Sequence, residues 1–214
     1  MGRDPASIRI VGVTKTLPPD TVRAAVAAGI EDIGENYVQE ARDKRRSVGE
    51  GAIWHLIGGL QRNKARVAAE LFDWVHSLDS MPVAEAFSAE ADRLGRRIHV
   101  LIQVNVAGEP SKRGVRPADV DGLAAGVARL GGLDLRGLMT VAPFSDDPEA
   151  ARPHFRALRE AREMAQNRLG VELPHLSMGM SGDFVIAVEE GATILRLGGA
   201  LFGPRAPRSW REDS

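Results

Sequence analysis

Lys15 ends the apolar, β-branched run Ile8-Arg-Ile-Val-Gly-Val-Thr14, and Leu17-Pro-Pro-Asp20 then opens a helix. An amine at the carboxyl end of a strand can form a Schiff base with a carbonyl compound or neutralise a phosphate. Gly179, Ser181 and Gly182 follow a second apolar run, just before a helical stretch, and Gly198 and Gly199 follow a third. Glycine lets a backbone approach a ligand closely, serine adds a hydroxyl, and the N–H groups at a helix start receive phosphate. The plainer reading makes Ser181 a helix cap and the glycines turn residues. Arg196 interrupts Ile194-Leu195 and Leu197. A guanidinium there is costly unless an acceptor meets it. It shares strand parity with Gly198, which would put it in the same pocket. The alternative is an ion pair with a carboxylate such as Glu35.

The remaining reactive side chains are less telling. The other lysines are Lys44, in the charged run Arg42–Arg46 and read as part of a solvated helix face, Lys64, which opens a helix, and Lys112, in a loop. His55, His76, His99, His154 and His175 show no metal-ligand spacing and no clustering, and no metal site is expected. His55 could face the pocket, but a packed, hydrogen-bonded histidine is the expectation. Ser177 and Ser181 lack a G-x-S-x-G elbow, which leaves a hydrolase triad unsupported.

These residues need elements to position them. Short apolar runs read as strands at Ile8–Thr14, Asp32–Gly34, Trp54–Gly58, Trp74–Leu78, Ile98–Val106, Leu135–Ala142, Leu176–Gly179 and Thr193–Gly198. Helical patterns lie between them at Asp20–Ala28, Val38–Arg46, Asn63–Leu71, Pro82–Leu94, Pro117–Arg129, Pro148–Leu169 and Asp183–Glu190. This alternation implies a parallel sheet, and eight β units imply an α/β fold of the closed (β/α)8 TIM-barrel kind. A doubly wound sheet is the alternative, but no G-x-G-x-x-G follows the first strand. Barrel active sites lie at the carboxyl ends of the strands, where Lys15, Asn36, Ser181 and Gly198 all fall. The 214 residues are expected to form a single barrel domain, with 206–214 as a polar, frayed tail.

Composition sets further bounds. Hydrophobic residues make up 43% of the chain and charged residues 27%, with a net charge of −1. No global field draws such a chain to nucleic acid or a membrane surface. Cysteine is absent, which removes disulfides and thiolate chemistry. No apolar signal core or spanning stretch is visible, and a cytoplasmic location is expected.

Together, the lysine, the phosphate loops and the polar arginine point to pyridoxal 5'-phosphate (PLP). The motifs around them resemble the pyridoxal phosphate homeostasis family, of the YggS/PROSC type. The resemblance rests on Val13-Thr-Lys-Thr16, Gly34-Glu-Asn-Tyr-Val-Gln-Glu40, Trp54-His-Leu-Ile-Gly58 with Leu60-Gln61-x-Asn63-Lys64, Ser111-Lys-Arg-Gly114, Arg136-Gly-Leu-Met139, Leu176-Ser-Met-Gly-Met-Ser181 and Arg196-Leu-Gly-x-x-x-Phe202-Gly203. It implies a barrel of the fold-type III PLP class, similar to the alanine racemase N-terminal domain. It implies a PLP aldimine on Lys15, Asn36 beside the cofactor, Ser181 with the Gly198-Gly199 backbone on the phosphate, and Arg196 facing the ring nitrogen. An arginine there disfavours a protonated ring and weakens the electron sink.

Two departures stand out. The family usually carries Thr or Ser where this chain has Gly199. The missing hydroxyl would cost about 1–3 kcal/mol of phosphate binding unless water replaces it. The family also usually has a helix before the first strand, and a shortened one would leave part of the barrel uncovered. The racemases of this class carry a further β-rich domain that supplies a tyrosine base, and this chain ends just after its last strand, with Tyr37 its only tyrosine. The expectation is a monomeric, non-catalytic PLP protein that buffers the cofactor or delivers it to apo PLP-dependent enzymes. The alternative is a small amino-acid racemase or lyase using Lys15 as base.

Overall fold

A computed structural model describes residues 2–204. The expected tail at 206–214 lies outside the described residues. The strands are β1 (Arg9–Val13), β2 (Asp32–Glu35), β3 (Ile53–Leu56), β4 (Trp74–Leu78), β5 (Ile98–Gln103), β6 (Leu133–Met139), β7 (His175–Ser177) and β8 (Ile194–Leu197). They pair in chain order, all parallel, and β8 closes on β1. Helices α1 (Pro19–Ala27), α2 (Val38–Val48), α3 (Ala65–Leu71), α4 (Met81–Arg93), α5 (Val120–Val127), α6 (Arg152–Leu169) and α7 (Phe184–Glu189) connect them, and a short α8 (Gly199–Phe202) follows β8. The barrel expected from the sequence is the barrel observed.

Boundaries shift where loops compete for the backbone. β5 stops at Gln103 because the chain turns out of the sheet. The Asn105 side chain donates to the carbonyls of Glu109 (2.8 Å) and Lys112 (3.2 Å), and Val104 bridges to Val115 instead. The starts of the helical stretches at Asn63, Pro117 and Pro148 are 3-10 turns, with the α-helices beginning a few residues later.

Strand side chains alternate between the helix layer and the barrel interior. The outer layer holds Ile33, Trp54, Leu56, Phe72, Phe87 and Phe155, all fully buried against the helices. α6 offers Phe155, Leu158, Ala161 and Ala165 to it, a helical stripe. A separate cluster of Val11, Trp74, Leu101, Met139 and Ile194 fills the interior. On the outer face of β1, Ile10 stays 45% exposed, and Leu201 of α8 is 38% exposed.

Candidate functional site

All six residues singled out from the sequence, Lys15, Asn36, Ser181, Arg196, Gly198 and Gly199, line one cavity of about 520 Å³ at the carboxyl end of the barrel. That volume is in the range of small-molecule and cofactor sites. The loop after β6 contributes Phe144, Ser145 and Asp147, and Met180 comes from the loop after β7.

Lys15 sits, half-buried, in a turn closed by the Leu17 N–H donating to the Thr14 carbonyl (2.9 Å). The third residue of that turn, Thr16, has φ +67°, the only positive value at a non-glycine among the described residues. A β-branched residue in this region is strained by about 1–2 kcal/mol. A buried ion cluster holds the turn from behind. Lys44 Nζ donates to the Thr14 carbonyl (2.6 Å), Glu35 Oε1 (2.7 Å) and Glu40 Oε1 (2.7 Å), which uses its three N–H bonds. The Thr14 hydroxyl donates to Glu35, and the Thr16 N–H donates to Glu40. Both neighbours of Lys15 are therefore clamped.

Lys44 corrects the expectation of a solvated helix face, since it is 3% exposed. It shares a helical stripe with Ala41, also buried, and that spacing was the available signal. Burial raises the Glu35 pKa, while hydrogen bonds from Lys44 and Thr14 act against the rise.

Arg196 is not paired with Glu35, the alternative considered from the sequence. Glu35 has the opposite strand parity to Asn36 and faces the helix layer, where Lys44 meets it. Arg196 instead donates Nη1–H to Ser177 Oγ (2.7 Å) and Nη2–H to the Thr140 carbonyl (2.8 Å). Burial lowers its pKa to about 10, so it stays a cation at neutral pH.

Ser181 does not cap α7, whose N-cap position is Asp183. Its Oγ accepts the backbone N–H groups of Gly198 (3.2 Å) and Ala200 (3.0 Å), which ties the loop after β7 to the start of α8. This backbone segment already gathers one oxygen acceptor. Gly179 makes the approach possible: its φ is +93°, and a Cβ there would lie 2.5 Å from the Ala187 side chain. At Gly58, a Cβ would lie 2.1 Å from the Asn36 carbonyl oxygen, so glycine is what lets the β3 loop pass beside Asn36. Gly199 is different. A Cβ there would meet only Ser181 Oγ, at 3.8 Å, so the absence of a side chain is not a steric demand.

The histidines correct a second expectation, because four of them do cluster. His55, His76, His99 and His175 surround Trp74 with ring-centroid separations of 5.7, 6.2, 4.5 and 5.4 Å. Arg9 lies over the same indole at 5.2 Å. His55 is packed and hydrogen-bonded, as expected from the sequence. Burial lowers the pKa of His55, that of His76 strongly, and that of His175 to about 4.

A closed barrel with an amine, a cation and a backbone oxygen cradle around one cavity defines a small-molecule-binding (β/α)8 protein. Residues 6–206 match the family model described as "Alanine racemase, N-terminal domain". A pyridoxal phosphate homeostasis protein of Pseudomonas aeruginosa is 44% identical over 205 residues, covering 95% of this chain and 87% of its own. The solved structure of PipY from Synechococcus elongatus with PLP bound has a TM-score of 0.86 and 38% identity, and covers 94% of this chain and 95% of that one. An alanine racemase of Clostridium difficile shares the fold alone, at 15% identity and a TM-score of 0.80, covering 97% of this chain and 55% of that one. The chain belongs to the pyridoxal phosphate homeostasis protein family, within the wider group that shares the alanine racemase N-terminal domain.

Proposed function

We propose that this chain binds PLP and serves in intracellular PLP homeostasis, holding the cofactor on Lys15 and buffering it or delivering it to apo PLP-dependent enzymes. The observation that carries this reading is the convergence of Lys15, Arg196 and the Ser181–Gly198 backbone on one cavity. The residues fit the group. The N–H groups of Gly198 and Ala200 gather an oxygen acceptor, as a phosphate requires. Lys15 would supply the amine for the aldehyde, Ser181 with Gly198 and Gly199 would hold the phosphate, Asn36 would flank the cofactor, and Arg196 would hold the ring nitrogen. When bound, PLP supplies an electrophilic aldehyde and an electron-accepting ring. The Arg196 cation opposes protonation of the ring nitrogen and so weakens that acceptor.

The lining also supports a role without turnover. Besides Lys15 and Arg196, the titratable groups lining the cavity among the described residues are Asp147 and Asp183. Asp147 accepts the Glu149 N–H and Asp183 accepts the Met180 N–H, so both carboxylates are engaged in holding backbone. A two-base racemase needs, besides Lys15, a second acid–base group on the opposite face of the cofactor. Among the described residues no helix is long and apolar enough to cross a membrane. We assign the protein to the cytoplasm as a monomer, with PLP and recipient enzymes as its partners and no role for nucleic acid.

The test incubates PLP-loaded protein with an apo PLP enzyme, and separately with L-amino acids in D2O. Activation of the enzyme without α-proton exchange supports a carrier. Exchange that disappears in Lys15→Ala would instead establish the racemase or lyase reading.

A further inference from the structure

A continuous line of hydrogen bonds crosses the barrel interior from the cavity to the opposite mouth. Arg196 Nη1 meets Ser177 Oγ at 2.7 Å, Ser177 Oγ meets His76 Nδ1 at 3.0 Å, His76 Nε2 meets His55 Nδ1 at 2.9 Å, and His55 Nε2 meets Asp32 Oδ1 at 2.7 Å. Arg9 closes the line with an Nη1–Asp32 Oδ1 contact of 3.1 Å. Ser177, His55 and His76 are wholly buried. Asp32 and Arg9 line a separate groove of about 350 Å³.

The two ends fix the direction of every link. Arginine can only donate, and an ionised carboxylate can only accept. Burial keeps both imidazoles neutral, so each ring carries one N–H. Asp32 therefore takes the His55 Nε2–H, which leaves His55 Nδ1 as an acceptor. That atom takes the His76 Nε2–H and leaves His76 Nδ1 as an acceptor. The Ser177 hydroxyl must then donate to His76, and its oxygen receives Arg196. Each group donates to the next one toward Asp32, and bonds aligned in this way polarise one another.

We propose that Ser177, His76, His55 and Asp32 are positioning residues for Arg196, forming a one-way chain that fixes the guanidinium at the cavity wall and sets its interaction with the bound ring. The proposal rests on the PLP reading for its effect on the ring, but the chain itself stands without cofactor. Ser177 is its critical link, because it alone joins the arginine to the histidines. The Thr140 carbonyl is the other acceptor of Arg196, through Nη2–H at 2.8 Å.

The test has two arms. In the PLP-free protein, long-range 1H–15N NMR of the imidazoles should show His55 and His76 as neutral Nε2–H tautomers. An Nδ1–H tautomer at either, or an imidazolium at neutral pH, would overturn the chain. In the second arm, PLP is titrated into the parent, Ser177→Ala and Ser177→Thr, with visible absorbance recorded. Ser177→Ala should shift the spectrum of bound PLP and weaken binding about tenfold. Ser177→Thr, which keeps the hydroxyl, should restore both. An unchanged spectrum and affinity in a folded Ser177→Ala would overturn the positioning role. Should that variant fail to fold, Asp32→Ala replaces it: loss of the acceptor for His55 Nε2–H should disturb the His55 tautomer and shift the PLP spectrum, and no change in either would overturn the proposal. A parent protein that takes up no PLP would refute the cofactor reading and the effect on the ring, while the tautomers still decide the chain.

Discussion

The two ends of this barrel are built on opposite principles. At the carboxyl end, glycine-rich loops and a half-buried lysine surround open space. At the amino end, Trp74, four histidines and Arg9 fill the interior with rings and charge. The first end stores little packing energy and leaves room for a ligand. The second is packed, and its polar atoms are spent on one another. The ion cluster around Lys44 belongs to neither interior. It lies on the outer face, behind Lys15, and stiffens the open end without entering the cavity. A binding site needs its backbone donors fixed before the ligand arrives, and here the rigidity comes from the helix layer and the packed end rather than from the cavity lining.

Among single substitutions, breaking the outer support should have the largest effect. Lys44→Met leaves Glu35 buried and unpaired and should cost about 3–5 kcal/mol of stability in urea unfolding. Adding Glu35→Gln to that variant should recover most of the loss, because the pair is then removed together. A loss below about 1 kcal/mol in the single variant would mean that the cluster does not hold the turn.

Acid should attack the packed end next. His55, His76 and His175 are held below the ordinary histidine value of 6.5, His175 at about 4. Below pH 6.5 the unfolded chain takes up protons that the folded chain refuses. Stability is therefore complete above about pH 6.5 and falls toward pH 4, by up to about 1.4 kcal/mol per pH unit for each histidine. Glu35, raised by burial, runs the other way, since the folded chain keeps a proton the unfolded chain has lost above pH 4.5. It offsets at most one of the three. Unfolding measured across this range should show the decline, and His175→Gln should make it shallower. A flat profile would remove the case for a neutral histidine cluster.

Filling the open end should act on binding and not on folding. Gly199→Ser adds a hydroxyl donor where a Cβ has room, and PLP should bind more tightly by about fivefold or more, by fluorescence titration. Stability should change by less than about 0.5 kcal/mol. Weaker binding would show that the backbone alone makes the oxygen cradle and that the added side chain crowds it.

The same contrast explains what was legible in the sequence. The open end is written in local motifs. Lys15 closes a strand, Ser181 and Gly182 precede a helix, and Gly198-Gly199 follow β8, so each loop could be read from its own few residues. The barrel was equally readable, because βα alternation is a local rhythm repeated along the chain. The packed end is written across the chain. His55 and His76 stand 21 residues apart, and His76 and Ser177 are 101 apart, on opposite sides of the barrel. They meet only once closure brings β4 and β7 face to face. The separation of about one βα unit between His55, His76 and His99 was the signal available, but it needs strand register to be interpreted. Lys44 was misread for a simpler reason: the charged run around it outweighed its place on the buried stripe of α2. Ser177 stands in the Leu176–Ser181 motif, which gives it no role, because its role depends on the two groups it touches.

The central claim is that Lys15 holds the cofactor, and reduction tests it most directly. Protein incubated with PLP, treated with borohydride and digested should carry the phosphopyridoxyl group on the peptide containing Lys15, one group per chain, with Lys44, Lys64 and Lys112 unlabelled. Labelling of another lysine in place of Lys15, or stoichiometric labelling that persists in Lys15→Ala, would contradict the account.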